Sequence, residues 1–440
     1  MACELQVKPF VYLLVILFGM GSWIAVNGLW LELPILVYHA PESWKLSSYL
    51  AIITQIANIG PLMYALVNKC APKYFNEKHG VYLIVTVGAA ACLLLVFCWN
   101  DTSYIGGVKR STGLMLSVLL LSLVDCTSSV VFLPYMSLFK PQYISALYIG
   151  EGLSGLVPSL VALGQGVGKT DCINTTVNST HQIVEKYLPP RFPVEDFFYF
   201  LFSIMLICGI SFTLLNYLPY CKMEHVAGHR DFSYKDDLVP SDTVLHRNTE
   251  FQQETTILND DTRYKLERPI SKTKLTFFLV TIGVINAMVN GVLPSISTYA
   301  TIPYGSEAYH LSVTLSNIAN PLACFVAFFL PVISTKVIGG TAIIGVAAGL
   351  YILVMATLSP FPLLVNETSG SAIIVIASVL VTVLVTFCKV SIATVLRLHG
   401  RTALLWCGIV TQIGSCIGAI VSFIAVNILH VFHERQACSS

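Results

Sequence analysis

Eleven long, mostly apolar stretches dominate this 440-residue sequence and decide what it can fold into. A helix needs about 20 apolar residues to cross the hydrocarbon core of a bilayer. Charged residues make up only 11% of the chain, whereas soluble proteins average about 25%. No stretch alternates as a β-barrel strand does, so an all-α polytopic membrane protein with eleven transmembrane helices is predicted. The predicted spans are residues 10–38, 45–68, 80–99, 112–138, 142–166, 197–219, 275–299, 307–333, 337–358, 370–396 and 402–428.

The distribution of Lys and Arg predicts how these helices are oriented. With the N-terminus in the cytoplasm, 17 of the 25 Lys and Arg face inside, 7 lie outside and one, Lys389, falls within a span. Positive residues prefer the cytoplasmic side, so the N-terminus is predicted to be cytoplasmic and the C-terminus extracellular. Glycosylation sequons occur only on the predicted outer side, at Asn100, Asn174, Asn178 and Asn366.

Two cysteines are predicted to form a disulfide. Cys172 and Cys438 both fall in predicted outer segments, where oxidising conditions favour a disulfide between them.

The absence of several motifs excludes function classes. No Cys/His spacing suits a metal, no phosphate-binding loop suggests ATP, and no Ser/His/Asp arrangement suggests an enzyme. The net charge of +1 gives no basic surface for nucleic acid. Neither a cofactor nor a catalytic residue is predicted.

One polar segment divides the chain. Residues 221–272 hold 8 Lys/Arg and 10 Asp/Glu among 52 residues, which predicts a disordered cytosolic linker. It separates a six-helix half, residues 1–220, from a five-helix half, residues 273–440.

Three short motifs recur on both sides of this linker, at offsets of 263, 262 and 261 residues. The pairs are Asn27 with Asn290, Asn58 with Asn320, and Glu151 with Gln412. The first paired spans run in the same direction, so the halves are predicted to be parallel repeats. That is the arrangement of major-facilitator-like and equilibrative-transporter-like carriers, here with one helix fewer.

Polar residues inside the spans predict a central binding site. They are costly in lipid and should face a cavity or a partner, and substrate sites of secondary transporters lie near mid-membrane. Spans three, six and nine hold almost none, as expected of helices that face lipid. The predicted substrate-binding residues, which include two aromatic side chains that could stack on a flat substrate, are Asn27, Trp30, Glu32, Asn58, Asp125, Glu151, Asn290, Tyr309, Asn320 and Gln412.

Charged residues among these have further possible roles. Glu32 and Glu151 are candidates for carrying a coupled proton, because burial raises the pKa of a carboxyl group. Asp125 and Lys389 lie on corresponding helices four and ten and could form an ion pair. Each amide could instead bond to a neighbouring helix. Breaks in helical structure are expected near Gly28 and Pro34, at 60–61, near Gly291 and Pro294, and at Pro321.

Several of these motifs resemble the vertebrate riboflavin transporters, solute carrier family 52. They are FGMGSW at 18–23, NGLW at 27–30, ELP at 32–34, VDCTSS at 124–129, GEGLSGL at 150–156, AYHL at 308–311 and ANPLA at 319–323. The resemblance implies a plasma-membrane protein that takes up riboflavin (vitamin B2). Riboflavin is neutral, and its ring edge and hydroxyls can be recognised by amides. The residues alone leave two alternatives open. The chain could be a carrier of another neutral heterocycle such as a nucleoside, or a non-transporting membrane receptor.

Overall fold

The computed structural model describes residues 8–70, 77–136, 138–140, 142–166, 170–177, 180–187, 189–225, 271–329, 334–398 and 401–435. Most of the predicted linker, residues 226–270, lies outside these described residues, as do Asn178 and Cys438.

Nearly all of the described chain is helical. The first part contains α1 (Pro9–Met20), α2 (Ile24–His39), α3 (Leu46–Ile56), α4 (Ile59–Cys70), α5 (Glu77–Cys98), α6 (Thr112–Met136), α7 (Gln142–Gln165), α8 (Val194–Tyr217) and α9 (Pro219–Lys222). The second part contains α10 (Lys272–Asn286), a π-helical turn (Ala287–Val292), α11 (Leu293–Thr301), α12 (Ser306–Phe329), α13 (Thr335–Thr357), α14 (Thr368–Leu398) and α15 (Arg401–Asn427). We call residues 8–225 the N-terminal helices and residues 271–435 the C-terminal helices.

The helices are long and apolar enough to span a membrane. Within the described ranges nine candidate spans are found, or ten when α1 and α2, which meet at 51°, are counted as one broken span. The 24-residue α12 is not among these ten. The prediction of a polytopic helical membrane protein is therefore confirmed. The predicted number of eleven transmembrane helices is not confirmed.

Two predicted spans are broken in the middle. The first span was expected to be one helix with a break near Gly28, but it breaks at 21–23, and Pro34 lies inside the unbroken α2. The second span breaks between α3 and α4 beside the predicted 60–61 site. Because Pro61 has no N–H to donate to the Ala57 carbonyl, the Gly60 N–H takes its place at 2.9 Å.

Two β-hairpins were not predicted. Strands β1 (Ser103–Ile105) and β2 (Val108–Arg110) pair through a Gly106–Gly107 turn, in which both glycines have positive φ. Such a two-residue turn suits the twist of a hairpin, and its positive φ values favour glycine. Strands β3 (Thr170–Val177) and β4 (Thr180–Tyr187) form the second hairpin, and β3 carries Cys172 and Asn174. Because successive spans alternate in direction, both hairpins lie on one side of the bundle, the hairpin side.

On the hairpin side the N-terminal and C-terminal helices are joined by buried polar contacts. The Ser47 hydroxyl donates to the Ser295 carbonyl at 2.9 Å, and the Thr298 hydroxyl donates to the Trp44 carbonyl at 2.7 Å. The Asn427 amide donates to the Ser48 hydroxyl at 2.8 Å. The donating and accepting groups belong to α3, α11, α15 and, for the Trp44 carbonyl, the turn before α3. The two sets of helices are therefore closed against each other on this side.

Helices α7 and α12 carry exposed side chains toward the opposite, linker side. Helices α7 and α12 touch at mid-depth, where a Cβ on Gly152 would lie 3.4 Å from the Pro321 ring. Beyond this contact Tyr148 of α7 is 53% exposed and Leu322 of α12 is 56% exposed. The predicted break at Pro321 is absent, since Pro321 lies inside α12.

An ionic cluster holds the linker-side end of the N-terminal helices. The carboxylate of Glu224 lies 3.2 Å from the Lys8 ammonium and 2.8 Å from the Lys140 ammonium, and it accepts a hydrogen bond from the Tyr143 hydroxyl at 3.1 Å. Burial alone would raise the pKa of Glu224, but the hydrogen bonds from Lys140, Lys8 and Tyr143 lower it below its usual value.

The Glu224 cluster predicts a pH-dependent stability. Because the folded-state pKa is lower than the unfolded-state value, its stabilisation is present above about pH 4.5 and is lost as the pH falls below that. We expect Glu224→Gln to lower the free energy of unfolding by roughly 1.5–3 kcal/mol at pH 7 and to have little effect well below pH 4.5. Thermal unfolding of the purified protein in detergent over a pH series measures this.

The control for this series is Glu367→Gln, because Glu367 is an exposed carboxylate on the hairpin side. We expect it to change the unfolding temperature little at any pH. An equal deficit of Glu224→Gln at neutral and acid pH would contradict the ionic role of the cluster.

Candidate functional site

A small cavity opens beside the break between α1 and α2. Its volume is about 110 Å³. Its lining combines three serine hydroxyls, one carboxyl group and two aromatic rings, one of them the phenol of Tyr148. It consists of Ser22, Ser128, Ser129, Phe132, Leu147, Tyr148 and Glu151. Of the predicted site residues only Glu151 lines this cavity. The serines were not predicted individually, although two of them belong to the VDCTSS motif.

Helix α6 builds this cavity by supporting the broken helix. The break leaves the first turn of α2 with N–H groups that lack helical partners, and an acidic side chain is favourable at such an end. The buried carboxylate of Asp125 accepts a hydrogen bond from the Val26 N–H at 3.1 Å. One turn further along α6, the Ser128 hydroxyl is 3.1 Å from the Ser22 carbonyl. Asp125 thus caps an internal helix end, a role its sequence position did not suggest.

The predicted ion pair between Asp125 and Lys389 is absent in this conformation. Asp125 is fully buried on α6, and its second carboxylate oxygen has no hydrogen-bond partner. Lys389 of α14 lies instead near Cys324 of α12, and Cys324 also lies near Glu151.

A second polar group lies where α2, α7 and α12 meet. The Asn27 amide is 3.4 Å from the Ser154 hydroxyl. A Cβ on Gly155 would lie 3.6 Å from the Asn27 amide nitrogen and 3.5 Å from the Asn317 carbonyl oxygen. Asn27 thus lies at the junction of the N-terminal and C-terminal helices, one turn along α7 from Glu151.

A chain of amides forms a third group and crosses between the two sets of helices. The Asn58 amide donates to the Gln55 side-chain oxygen at 3.2 Å, and the Gln55 amide donates to the Asn290 carbonyl at 3.4 Å. The Asn290 side chain in turn donates to the Asn286 side chain at 3.0 Å and to the Ser415 hydroxyl at 3.2 Å. Asn58 and Asn290, predicted as separate ligands, are therefore linked through Gln55.

The remaining predicted residues are scattered. Asn320 accepts a hydrogen bond from Thr386 at 2.7 Å, and Gln412 is exposed on α15. Tyr309 is fully buried, and its hydroxyl contacts that of Ser297 at 3.2 Å. Trp30 packs against the core of the N-terminal helices.

Glu32 lies well away from the cavity. It is fully buried beside Gln165, and neither of its carboxylate oxygens has a hydrogen-bond partner. Gln165 follows Glu151 by 14 residues on α7, which at 1.5 Å per residue separates them by about 21 Å along the helix axis. The two carboxylates therefore occupy different depths.

Comparison of the sequence with known proteins gives consistent matches. A family model described as "Solute carrier family 52, riboflavin transporter" matches residues 7–434. The zebrafish (Danio rerio) protein named riboflavin transporter member 3-B of that family is 41% identical over 446 residues, covering 98% of this chain and 99% of the relative. The human protein named member 2 is 34% identical over 446 residues, covering 100% of this chain and 99% of the relative.

Comparison of the structure with solved structures gives the fold. The crystal structure of an auto-inhibited POT family peptide transporter matches with a TM-score of 0.53 at 12% identity, covering 96% of this chain and 90% of that one. A D-xylose-proton symporter also matches with a TM-score of 0.53, at 11% identity, covering 94% and 88%. The helices are thus arranged as in these two transporters.

Proposed function

The chain belongs to solute carrier family 52, the riboflavin transporters, and from that premise we propose that it takes up riboflavin across the plasma membrane by alternating access. In this mechanism the two sets of helices rock about a central site that opens to one side at a time. The observation that carries the proposal is the cavity at Glu151, which is lined by hydroxyls, a carboxylate and aromatic rings in a bundle that is closed on the hairpin side.

The cavity has suitable chemistry for part of riboflavin. The hydroxyls of Ser22, Ser128 and Ser129 and the carboxylate of Glu151 can exchange hydrogen bonds with ribityl hydroxyls. Phe132 and Tyr148 can contact the isoalloxazine ring, since aromatic rings favour offset stacking. We propose that Asn27, Asn58, Asn290, Asn320 and Gln412 complete the site as the helices move. A coupled proton, where uptake depends on pH, is assigned to Glu151 or Glu32.

We propose that the fold has eleven membrane helices in two parallel repeats, six at 1–220 and five at 273–440. The three motif pairs at offsets of 263, 262 and 261 support the repeat, and α12 supplies the helix that the ten candidate spans do not include. The polar segment 221–272 then joins the repeats in the cytoplasm.

We propose that the hairpin side is extracellular. The excess of Lys and Arg on the linker side supports this orientation, and Asn100 and Asn366 are exposed on the hairpin side. In this orientation the structure is closed to the outside. Expression in mammalian cells should give a glycosidase-sensitive protein whose electrophoretic shift is lost when all four sequon asparagines are changed to Gln. A sequon inserted at residues 330–333 should stay unmodified, and its modification would reverse the assignment.

Uptake of labelled riboflavin into cells that express the chain tests the function. We expect saturable uptake that excess unlabelled flavin abolishes and excess nucleoside does not, measured at two external pH values. Absence of uptake by protein confirmed at the cell surface would overturn riboflavin as the substrate.

A further inference from the structure

Helix α3 is tied to the C-terminal helices at both of its ends. At its hairpin-side end the Ser47 hydroxyl donates to the Ser295 carbonyl at 2.9 Å. At its mid-membrane end the Gln55 amide donates to the Asn290 carbonyl at 3.4 Å. Both acceptors lie on the segment of the π-helical turn and α11, five residues apart. The hairpin side cannot open by separating α3 from this segment unless both contacts break.

The acceptor of Gln55 is a carbonyl that lacks its usual α-helical donor. In an α-helix the carbonyl of Asn290 would accept the N–H of the residue four positions later. That residue is Pro294, which has no N–H to donate. The π-helical turn Ala287–Val292 ends just before Pro294, and such turns are frequent at functional sites. The amide of Gln55 thus offers this carbonyl a donor from the opposite set of helices.

Both ends of this contact are held in place. Asn58 donates to the Gln55 side-chain oxygen at 3.2 Å, which orients the amide of Gln55 toward Asn290. The Asn290 side chain is anchored to Ser415 of α15 at 3.2 Å. Asn58 lies in the break between α3 and α4 and is one of the proposed substrate ligands. A substrate that engages Asn58 therefore acts on the group that orients Gln55.

We propose that Gln55 is a positioning residue that couples occupancy of the central site to closure of the hairpin side. The proposal rests on the alternating-access function above. With Gln55 bonded to Asn290 the hairpin side is held closed, and loss of this bond favours the conformer that is open on that side. Gln55 acts through α3 and Asn58 and needs no contact with the transported molecule.

A reporter cysteine tests this coupling without requiring transport. Ser48 is fully buried between α3 and α15, so Ser48→Cys should react with a membrane-impermeant maleimide only when the hairpin side opens. In this background Gln55→Leu should raise the labelling rate in intact cells about fivefold, the effect of one lost hydrogen bond. The apparent KM for external riboflavin should fall, because the conformer that binds from outside gains population.

The matched control is Thr54→Val, one residue earlier on α3. Among the described residues, the Thr54 hydroxyl forms hydrogen bonds with the Leu50 carbonyl at 2.9 Å and the Ser122 hydroxyl at 3.3 Å, both within the N-terminal helices. Its replacement should leave the labelling rate unchanged. Equal labelling rates in Gln55→Leu and Thr54→Val, at equal surface expression, would overturn the proposal.

A second variant separates coupling from general loosening. Pro294→Ala restores an N–H that can serve the Asn290 carbonyl, so adding Gln55→Leu to Pro294→Ala should raise labelling by much less than fivefold. A full fivefold increase in the double variant would also contradict the proposal. If wild-type protein fails to take up riboflavin while these labelling differences hold, the substrate assignment fails and the role of Gln55 stands.

Discussion

Replacing Glu151 with alanine is expected to reduce riboflavin uptake by roughly 10- to 100-fold, the effect of losing hydrogen bonds to one charged group. Glu151 is the only carboxylate of the cavity lining, beside Ser22, Ser128 and Ser129. Its loss removes the strongest acceptor available to substrate hydroxyls. Initial rates of labelled riboflavin uptake, normalised to the surface-exposed protein, measure the effect.

The Glu151→Ala experiment requires two controls, the loss of a carboxylate elsewhere in the protein and a conservative substitution of Glu151 itself. Glu367→Ala removes an exposed carboxylate on the hairpin side and should leave uptake unchanged. Glu151→Gln keeps the shape and hydrogen-bonding capacity of the side chain and should recover part of the uptake. Uptake by Glu151→Ala at the wild-type rate would exclude the cavity as the substrate site.

Replacing Gly150 with valine is expected to abolish most folded protein at the cell surface. A Cβ on Gly150 would lie against the Ile16 carbonyl oxygen and 2.9 Å from the Gly19 Cα, so that two helix backbones would have to separate. Because backbone atoms cannot give way as a flexible side chain does, overpacking here should cost about 3 kcal/mol or more. That is a large fraction of the roughly 5–15 kcal/mol by which proteins are stable.

The same helix offers the control. A Cβ on Gly164 of α7 would meet no atom within 4 Å, so Gly164→Val should reach the cell surface at near wild-type levels. Surface biotinylation and thermal stability in detergent compare the two variants. Wild-type stability of Gly150→Val would show that α1 and α7 pack less closely than the structure has them.

The membrane helices could be predicted from the sequence, because a run of about 20 mostly apolar residues is typical of a transmembrane helix. The break beside Pro61 was also foreseeable, since the missing N–H is a property of the residue itself. The break at 21–23 was not, because no proline stands there. It depends on Asp125 and Ser128, which lie about 100 residues later and satisfy the freed backbone groups.

The sequence indicated which types of residue could form the site, but it did not indicate how their side chains are arranged. A polar residue within a span was expected to have a partner or to face a cavity, and sequence alone does not tell which. Glu151 lines a cavity, Asp125 caps a helix, and Tyr309 is buried against Ser297. The pair Gly106–Gly107 is typical of a two-residue hairpin turn and lies outside the long apolar stretches, so the first hairpin could have been predicted from it.

The hydroxyl-to-carbonyl contacts of Ser47 and Thr298 have a consequence for the medium in which the protein works. Both are neutral hydrogen bonds between fully buried groups. Mobile ions screen exposed charges over about 10 Å at 0.1 M salt. These two hydrogen bonds join uncharged groups, so dissolved ions have no charge to screen there. The buried seal should therefore hold equally well in dilute and concentrated solutions, so a change in ionic strength would act on the exposed loops and leave the seal itself intact.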